Sequence, residues 1–335
     1  MILLGLLIIA IGAFCQSSCY VPINKIKSWS WETYWIVQGL FAWIVLPLAG
    51  ALLAIPHGET LTALFAAHTG SALRTMFFGV LWGIGGLTFG LSMRYLGVAL
   101  GQSISLGTCA ALGTILGPVF TGQASSITSA VIWGVVVTLA GITVIGIAGN
   151  MKARTLAGKG GTDTAVKDFN FTKGITVALF AGLMSACFNI GLYQGADISF
   201  EGTDPLYASL PATFLVTLGG FLSNAVYCFA ENTRNHTWND YAKGSVWANN
   251  LMFCLLAGAL WYSQFFGLAI GKGFLTDSPA LQTFAFCILM ALNVVFSNFW
   301  GIVLHEWKGC NRSTIAVLVS GLVILIVSSF IPQII

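Results

Sequence analysis

The stretch Gly79–Gly101 of this 335-residue chain reads GVLWGIGGLTFGLSMRYLGVALG. Some of its glycines recur at steps of four, three and four residues, and a helix places residues at these spacings along one face. They are Gly79, Gly83, Gly86 and Gly90. In water each would weaken a helix by about 1 kcal/mol relative to alanine, whereas in a lipid bilayer helices associate through close backbone approach over small residues. The stretch therefore predicts a membrane-spanning helix that packs closely on a neighbour.

The composition of the whole chain also indicates a membrane protein. Of its residues, 57% are hydrophobic and 7% are charged, against roughly 25% charged residues in a typical soluble domain. The net charge of +3 comes from so few ionic groups that it gives no reason to expect a nucleic-acid partner. We therefore expect an integral membrane protein whose surroundings are the lipid bilayer.

The cysteines are expected to act as small apolar side chains. Most of the eight lie inside apolar runs, and the sequence contains no Cys-x-x-Cys pair. Cys15 and Cys19 lie one helical turn apart, which leaves a metal or redox role open, but a structural zinc site needs about four ligands. We expect neither a metal nor a cofactor.

The apolar segments predict ten transmembrane helices, because a helix needs about 20 apolar residues to cross a bilayer. The first segment is interpreted as a mature helix and not as a secretory signal, since no basic residue precedes Lys25. The predicted spans are 2–22, 33–55, 73–93, 96–117, 127–149, 173–193, 206–230, 246–270, 279–304 and 313–334.

The cations predict the orientation of these spans. Of the 14 lysines and arginines, 12 fall at the connections after odd-numbered spans, and only Arg74 and Lys272 lie on the opposite side. Because cytoplasmic loops of membrane proteins carry an excess of Lys and Arg, the connections after odd-numbered spans are expected in the cytoplasm and both termini outside it. The residues in those connections are Lys25, Lys27, Arg94, Lys152, Arg154, Lys159, Lys167, Lys173, Arg234, Lys243, Lys308 and Arg312.

The chain is expected to consist of two related halves. The segment Gly258-Ala-Leu-Trp261 matches Gly79-Val-Leu-Trp82, and Phe-Gly follows in both. The predicted domains are a first five-helix repeat at 1–150, a polar cytoplasmic linker at 151–172 and a second five-helix repeat at 173–335. An odd number of spans in each half makes the second half enter the membrane upside down, so the predicted fold is all-α, with ten helices as an inverted 5+5 repeat.

Neutral hydrogen-bonding groups and aromatic rings near the middle of the spans predict a binding site. A central cavity bounded by spans 3, 4, 8 and 9 is expected, in which rings stack on a solute and amides and hydroxyls bind its polar groups. Because no charged residue falls near mid-membrane, a neutral polyhydroxylated solute suits this set better than an ion. Hydrogen bonds between helices are the alternative role for each polar residue. The candidates are Trp82, Gln102, Ser103, Asn189, Trp261, Tyr262, Gln264 and Asn293.

A proton carrier, if the chain has one, is expected among acids at the helix ends. Intramembrane acids commonly mark proton paths, and here the candidates are Glu32, Asp204, Asp277 and Glu306. Solvated interfacial acids are the alternative interpretation for Glu32 and Glu306. The sequence contains no phosphate loop, HExxH or GxSxG motif, so an enzyme is not expected.

Several segments spread over both halves resemble the L-rhamnose–proton symporter family. They are Trp29-Ser-Trp-Glu-Thr-Tyr-Trp35, Trp82-Gly-Ile-Gly with Met93-Arg-Tyr-Leu-Gly97, Asp204-Pro-Leu-Tyr207 with Leu210-Pro211, Trp261-Tyr-x-Gln264-Phe-Phe266 and His305-Glu-Trp-Lys308. The resemblance implies a member of the drug/metabolite transporter superfamily in the bacterial inner membrane, with ten helices, periplasmic termini and proton-driven uptake of L-rhamnose by alternating access.

The chain departs from the family pattern at Gly86–Phe89 and at Asp277–Phe284, where it is less polar or less aromatic. These departures leave a related deoxysugar or a pentose open as substrate. An exporter of drugs, amino acids or nucleotide precursors is the first alternative function, and a membrane sensor without transport is the second. The sequence gives no indication of an oligomeric state.

Overall fold

A computed structural model describes residues 1–96, 98–157 and 170–335, and all regular structure within these ranges is helical. Residues 158–169, the greater part of the predicted linker 151–172, lie outside the described residues. The helices are α1 Ile2–Ser18, α2 Tyr20–Ile23, α3 Trp31–Gly39, α4 Leu46–Leu52, α5 Leu61–Ala67, α6 Thr69–Leu96, α7 Val98–Phe120, α8 Ser129–Ala157, α9 Phe171–Gln194, α10 Leu210–Arg234, α11 Gly244–Gly273, α12 Pro279–Val303, α13 Arg312–Ser328 and α14 Ile331–Ile334.

The helix lengths confirm the all-α, polytopic membrane class. Within the described ranges, nine helical segments are long and apolar enough to cross a membrane, and they match the first nine predicted spans. The tenth predicted span contains α13, an apolar helix of 17 residues, followed by the short α14. The arrangement as an inverted repeat stays a prediction.

The second predicted span contains a widened turn instead of a continuous α-helix. Between α3 and α4, residues Leu40–Val45 form a π-helical turn, and the N–H of Leu46 bonds to the carbonyl of Phe41. Pro47 follows in the first turn of α4. A proline ring clashes with the carbonyl four residues before it, here that of Trp43, and a wider turn relieves this clash.

The described chain forms two compact units. Unit 1 comprises Met1–Gly83 and Ile190–Asp277, and unit 2 comprises Ile84–Asn189 and Ser278–Ile335. Each unit thus takes segments from both halves of the sequence.

In unit 1, glycines bring helix backbones into direct contact. A Cβ at Gly79 of α6 would lie 2.2 Å from the carbonyl oxygen of Val216 on α10. On α1, a Cβ at Gly12 would lie 2.7 Å from the carbonyl oxygen of Ser263 on α11. Small residues at helix contacts are the means by which membrane helices approach closely. The contact at Gly79 agrees with the close packing predicted for Gly79, Gly83, Gly86 and Gly90, which we call the glycine stripe.

In unit 2, α8 packs on α13 through a reciprocal contact. A Cβ at Gly141 would lie 2.6 Å from Leu325, and a Cβ at Gly321 would lie 2.6 Å from Ile145.

The second half of the α6 glycine stripe has no such neighbour, because a Cβ at Gly86 or Gly90 would meet no described atom within 4 Å.

Candidate functional site

Four aromatic side chains of unit 1 form a contiguous group, which we call the tryptophan cluster: Trp43, Trp82, Trp261 and Phe265. The ring centroid of Trp43 lies 6.2 Å from that of Trp82 and 5.6 Å from that of Trp261, and both pairs are edge to face. Trp82 and Trp261 lie 5.8 Å apart. Phe265 lies edge to face against both, at 6.0 and 5.2 Å. These separations are the ones that aromatic pairs prefer.

Two glycines allow the indole rings to take these places. A Cβ at Gly39 would lie 2.5 Å from the Trp43 ring, and a Cβ at Gly220 of α10 would lie 2.3 Å from the Trp82 ring. Each ring therefore lies directly on helix backbone, and larger residues at either glycine would displace it. The π-helical turn holds Trp43 over Gly39, and α6 holds Trp82 over α10.

A second group of rings continues from the cluster along α3. Trp35 lies 5.6 Å from Trp43 and is stacked 5.7 Å from Trp31. Its Nε1–H donates to Oδ1 of Asn224 at 3.0 Å, and the Asn224 amide donates to the carbonyl of Gly83 at 3.4 Å. Trp35 is thereby tied to the backbone next to Trp82.

Three buried polar atoms close to the cluster have no hydrogen-bond partner among the described residues. They are Oε1 of Gln38, Nε1 of Trp43 and the hydroxyl of Tyr262, on side chains that are 2%, 3% and 6% exposed. Nearly all buried polar groups in proteins are paired, and leaving one unpaired costs about 1–3 kcal/mol. Each of these atoms therefore keeps a hydrogen-bonding capacity that the described residues do not use.

Neighbouring contacts place Gln38 and Tyr262 near the turn of α11 that carries Trp261. A Cβ at Gly258 of α11 would lie 3.1 Å from the backbone oxygen of Gln38, so Gln38 packs one helical turn before Trp261. Tyr262 follows Trp261 directly, and a Cβ at Gly50 of α4 would lie 2.5 Å from its hydroxyl. The side-chain amide of Gln264, which is also buried, donates to the carbonyl of Trp261 at 3.2 Å.

Unit 1 thus brings together four of the predicted binding residues: Trp82, Trp261, Tyr262 and Gln264. The other four belong to unit 2 and are described there by themselves.

In unit 2, Asn189 is the best-defined predicted residue. It is 1% exposed, and its amide donates to the carbonyl of Gly113 at 2.7 Å, while its Oδ1 has no partner among the described residues. Asn293 on α12 is 8% exposed. Gln102 and Ser103 on α7 are half-buried, and Ser103 lines a groove of about 130 Å³ formed by residues of α7 and α8.

Of the four candidate proton carriers, only Glu32 is buried, with 5% exposure. Its carboxylate accepts from the Thr237 hydroxyl at 2.7 Å and from the Asn235 amide at 3.2 Å. The other three are exposed. Asp204 accepts from the N–H of Leu206, Asp277 lies before α12, and Glu306 is 57% exposed and lies 3.4 Å from Lys152.

Asp240, which the sequence analysis does not single out, lies next to the Glu32 contacts. It is buried and accepts from the backbone N–H of Ser30 at 2.6 Å and from Nζ of Lys243 at 2.5 Å. Burial alone raises the pKa of this carboxyl, but the hydrogen bonds from Lys243 and Ser30 outweigh it, so the pKa lies below its ordinary value. Asp240 therefore caps the start of α3 as a carboxylate.

Gln38 and Trp43 are the site residues that sequence reasoning misses. Trp43 lies near the middle of the second predicted span, where an indole is unusual because tryptophans of membrane helices are enriched at the interfaces, and Gln38 lies five residues before it. The depth of Trp43 in the span is the signal that the sequence offers for this residue.

The family model described as "L-rhamnose-proton symport protein (RhaT)" matches residues 1–334. An L-rhamnose-proton symporter of Mannheimia succiniciproducens is 30% identical over 342 residues, which cover 98% of this chain and 96% of the relative. L-rhamnose-proton symporters of Escherichia coli (strain K12 / DH10B) and Klebsiella pneumoniae (strain 342) are each 32% identical over 333 residues, covering 95% of this chain and 94% of each relative.

Proposed function

The chain belongs to the L-rhamnose-proton symport protein family, and from this membership we propose that it takes up L-rhamnose together with protons. The observation that carries the proposal is the match of the family model to nearly the whole chain, residues 1–334. The chain is a transporter and not an enzyme, and it is a multi-pass protein of the bacterial inner membrane. The exporter alternative is not favoured, because the family and the relatives are named as symporters.

The tryptophan cluster supports a sugar as the solute. An indole face packs well against the aliphatic face of a sugar ring, and the polar edge of the indole remains free to bind a hydroxyl. We propose that Trp82, Trp261 and Tyr262 contact the sugar in unit 1 and that Gln264 binds a hydroxyl. Gln102, Ser103, Asn189 and Asn293 are proposed to hydrogen-bond sugar hydroxyls, as expected from the sequence.

For the proton, we propose that a group at a helix end is the carrier, with Glu32, Asp204, Asp277 and Glu306 as candidates. Glu32 is distinguished by its burial and by partners that are uncharged. A carrier must exchange protons with water, so in Glu32 the contacts with Thr237 and Asn235 would have to open during transport.

The topology is proposed as an inverted repeat of 1–150 and 173–335 joined by a cytoplasmic linker at 151–172, with both termini in the periplasm. The distribution of the cations supports this orientation, since only Arg74 and Lys272 of the 14 fall on the opposite side.

Uptake of labelled sugar into right-side-out membrane vesicles tests the function. With an inward proton gradient, vesicles containing the protein should accumulate L-rhamnose, and a protonophore should abolish the accumulation. Counterflow with amino acids in the same vesicles separates the alternatives. Exchange of amino acids without exchange of L-rhamnose would contradict the proposal.

A further inference from the structure

We propose that Gln38 and Trp43, together with the hydroxyl of Tyr262, bind the hydroxyl groups of the transported sugar. This inference rests on the proposed function and adds two residues of the second predicted span to the binding site. It also gives Tyr262 a hydrogen-bonding role in addition to the stacking role expected from the sequence.

The first argument is the chemistry of the three unpaired atoms. Nε1 of Trp43 donates only, Oε1 of Gln38 accepts only, and the hydroxyl of Tyr262 does both. A sugar hydroxyl also both donates and accepts, so a polyhydroxylated molecule can satisfy all three atoms at once. An ion of either sign would leave at least one of them unsatisfied.

The second argument is position. The ring of Trp43 contacts the rings of both Trp82 and Trp261, with centroid distances of 6.2 and 5.6 Å. Gln38 packs against Gly258, one turn before Trp261, and Tyr262 adjoins Trp261 in sequence. The unpaired atoms and the aromatic surface therefore come from the same two regions of unit 1, the second predicted span and the middle of α11.

The third argument is the contrast with other buried polar side chains of unit 1. Tyr241 donates its hydroxyl to Oδ1 of Asn232 at 3.0 Å, and Asn232 donates to the hydroxyl of Thr33 at 3.0 Å. Within the described part of unit 1, one further buried side-chain atom has no hydrogen-bond partner, namely Nε1 of Trp29. The Trp29 ring packs edge to face on Trp247. Away from the cluster, this unit satisfies most of its buried polar atoms internally.

In this structure the three atoms are enclosed, with side chains no more than 6% exposed. The Tyr262 hydroxyl, for example, lies against the backbone of α4 at Gly50. Sugar binding would separate the rings and supply the missing hydrogen bonds, as alternating access between closed and open forms allows. The unpaired atoms make the closed form less stable than an equally packed apolar core would be.

Two conservative substitutions and a matched control test the inference. Tyr262→Phe removes only the unpaired hydroxyl, and Gln38→Met removes the unpaired oxygen at nearly constant shape. Without sugar, both purified variants should melt at or above the temperature of the wild type, because an unsatisfied buried group is lost. Their dissociation constants for L-rhamnose should rise between about twofold and tenfold, as the loss of one uncharged hydrogen bond gives.

The control is Tyr241→Phe, which removes a hydroxyl that is already paired within the protein. It should lower the melting temperature and leave the dissociation constant for L-rhamnose unchanged. The inference is overturned if Tyr262→Phe and Gln38→Met bind L-rhamnose as tightly as the wild type does. Failure of the wild type to bind or transport L-rhamnose would instead contradict the proposed function, so the two failures are distinguishable.

Discussion

At the scale of single residues, Trp261 of the tryptophan cluster contacts rings from two other predicted spans, the second and the third. It contacts Trp43 and Trp82 at 5.6 and 5.8 Å. If these rings form the surface on which the sugar packs, truncating Trp261 removes a contact that other residues cannot replace.

Trp261→Ala is therefore expected to abolish proton-driven uptake of L-rhamnose while the protein remains in the membrane. The measurement is labelled uptake in vesicles, normalised to the protein detected by immunoblot. Trp133→Ala is the matched control, because Trp133 on α8 is 55% exposed, and it should leave uptake near the wild-type level. Undiminished uptake by Trp261→Ala would reject the assignment of Trp261 to the site.

The lowered pKa of Asp240 predicts how the stability of the protein depends on pH. Its pKa lies below the ordinary value because Lys243 and Ser30 donate to it, so its contribution to stability is present above about pH 4, the ordinary pKa of an aspartate, and is lost as the pH falls through the lowered value. Asp240→Asn should lower the melting temperature at pH 7. The difference from the wild type should shrink as the pH falls below about 4, and a difference that stays constant as the pH falls would contradict this role.

The sequence predicted individual residues only in part. Trp82 and Trp261 were found because their segments repeat, and Tyr262 and Gln264 because they follow Trp261. The hydrogen bond from the Trp35 indole to Asn224 is not indicated by the sequence. The partner of a side chain on another helix depends on tertiary packing, which spacing along one helix does not specify.

At the scale of elements, the glycine stripe of α6 divides into two parts. A Cβ at Gly79 would lie within 2.9 Å of three backbone atoms of Val216, whereas one at Gly86 would meet no described atom within 4 Å. Backbone cannot move aside as a flexible side chain can, so the same substitution should have opposite effects at the two positions.

Gly79→Ala is expected to destabilise the protein by about 1–3 kcal/mol, the usual cost of overpacking. Gly86→Ala should be neutral or stabilising by up to about 1 kcal/mol, because alanine is the better helix former. Thermal unfolding of both variants in the same detergent measures the difference. Equal melting temperatures would show that the close approach of α6 and α10 does not contribute to stability.

Long apolar runs predict element boundaries best: α7, α9, α11 and α12 begin and end within about three residues of their predicted spans, whereas α10 is shifted by about four residues at both ends. The π-helical turn at Leu40–Val45 was not predicted. Pro47 marks a possible irregularity, but a proline in a membrane helix is compatible with a kink, a break or a widened turn. The choice depends on the neighbours of Trp43.

At the scale of the whole molecule, the contact between α8 and α13 supports the proposed inverted repeat. Gly141 and Gly321 are 180 residues apart, as are Ile145 and Leu325. Gly141 packs against Leu325, and Gly321 packs against Ile145. A two-fold axis relating the halves produces such a reciprocal contact, and Trp82 and Trp261, 179 residues apart, also lie against each other.

The proposed topology predicts that both termini face the periplasm. A reporter that is active only in the cytoplasm should be inactive when fused after Ile335, and active when placed between Arg234 and Lys243 in the connection before α11. A reporter that requires the periplasm should give the reverse pattern. Cytoplasmic activity of the fusion after Ile335 would contradict the orientation derived from the cations.

Recording the external pH of lightly buffered vesicles most directly tests the claim that sugar and proton move together. Adding L-rhamnose to vesicles that contain the wild-type protein should make the medium more alkaline, because protons enter with the sugar, and Trp261→Ala vesicles should show no change. A medium that stays constant while labelled L-rhamnose enters the wild-type vesicles, or that becomes acidic, would contradict proton-coupled uptake.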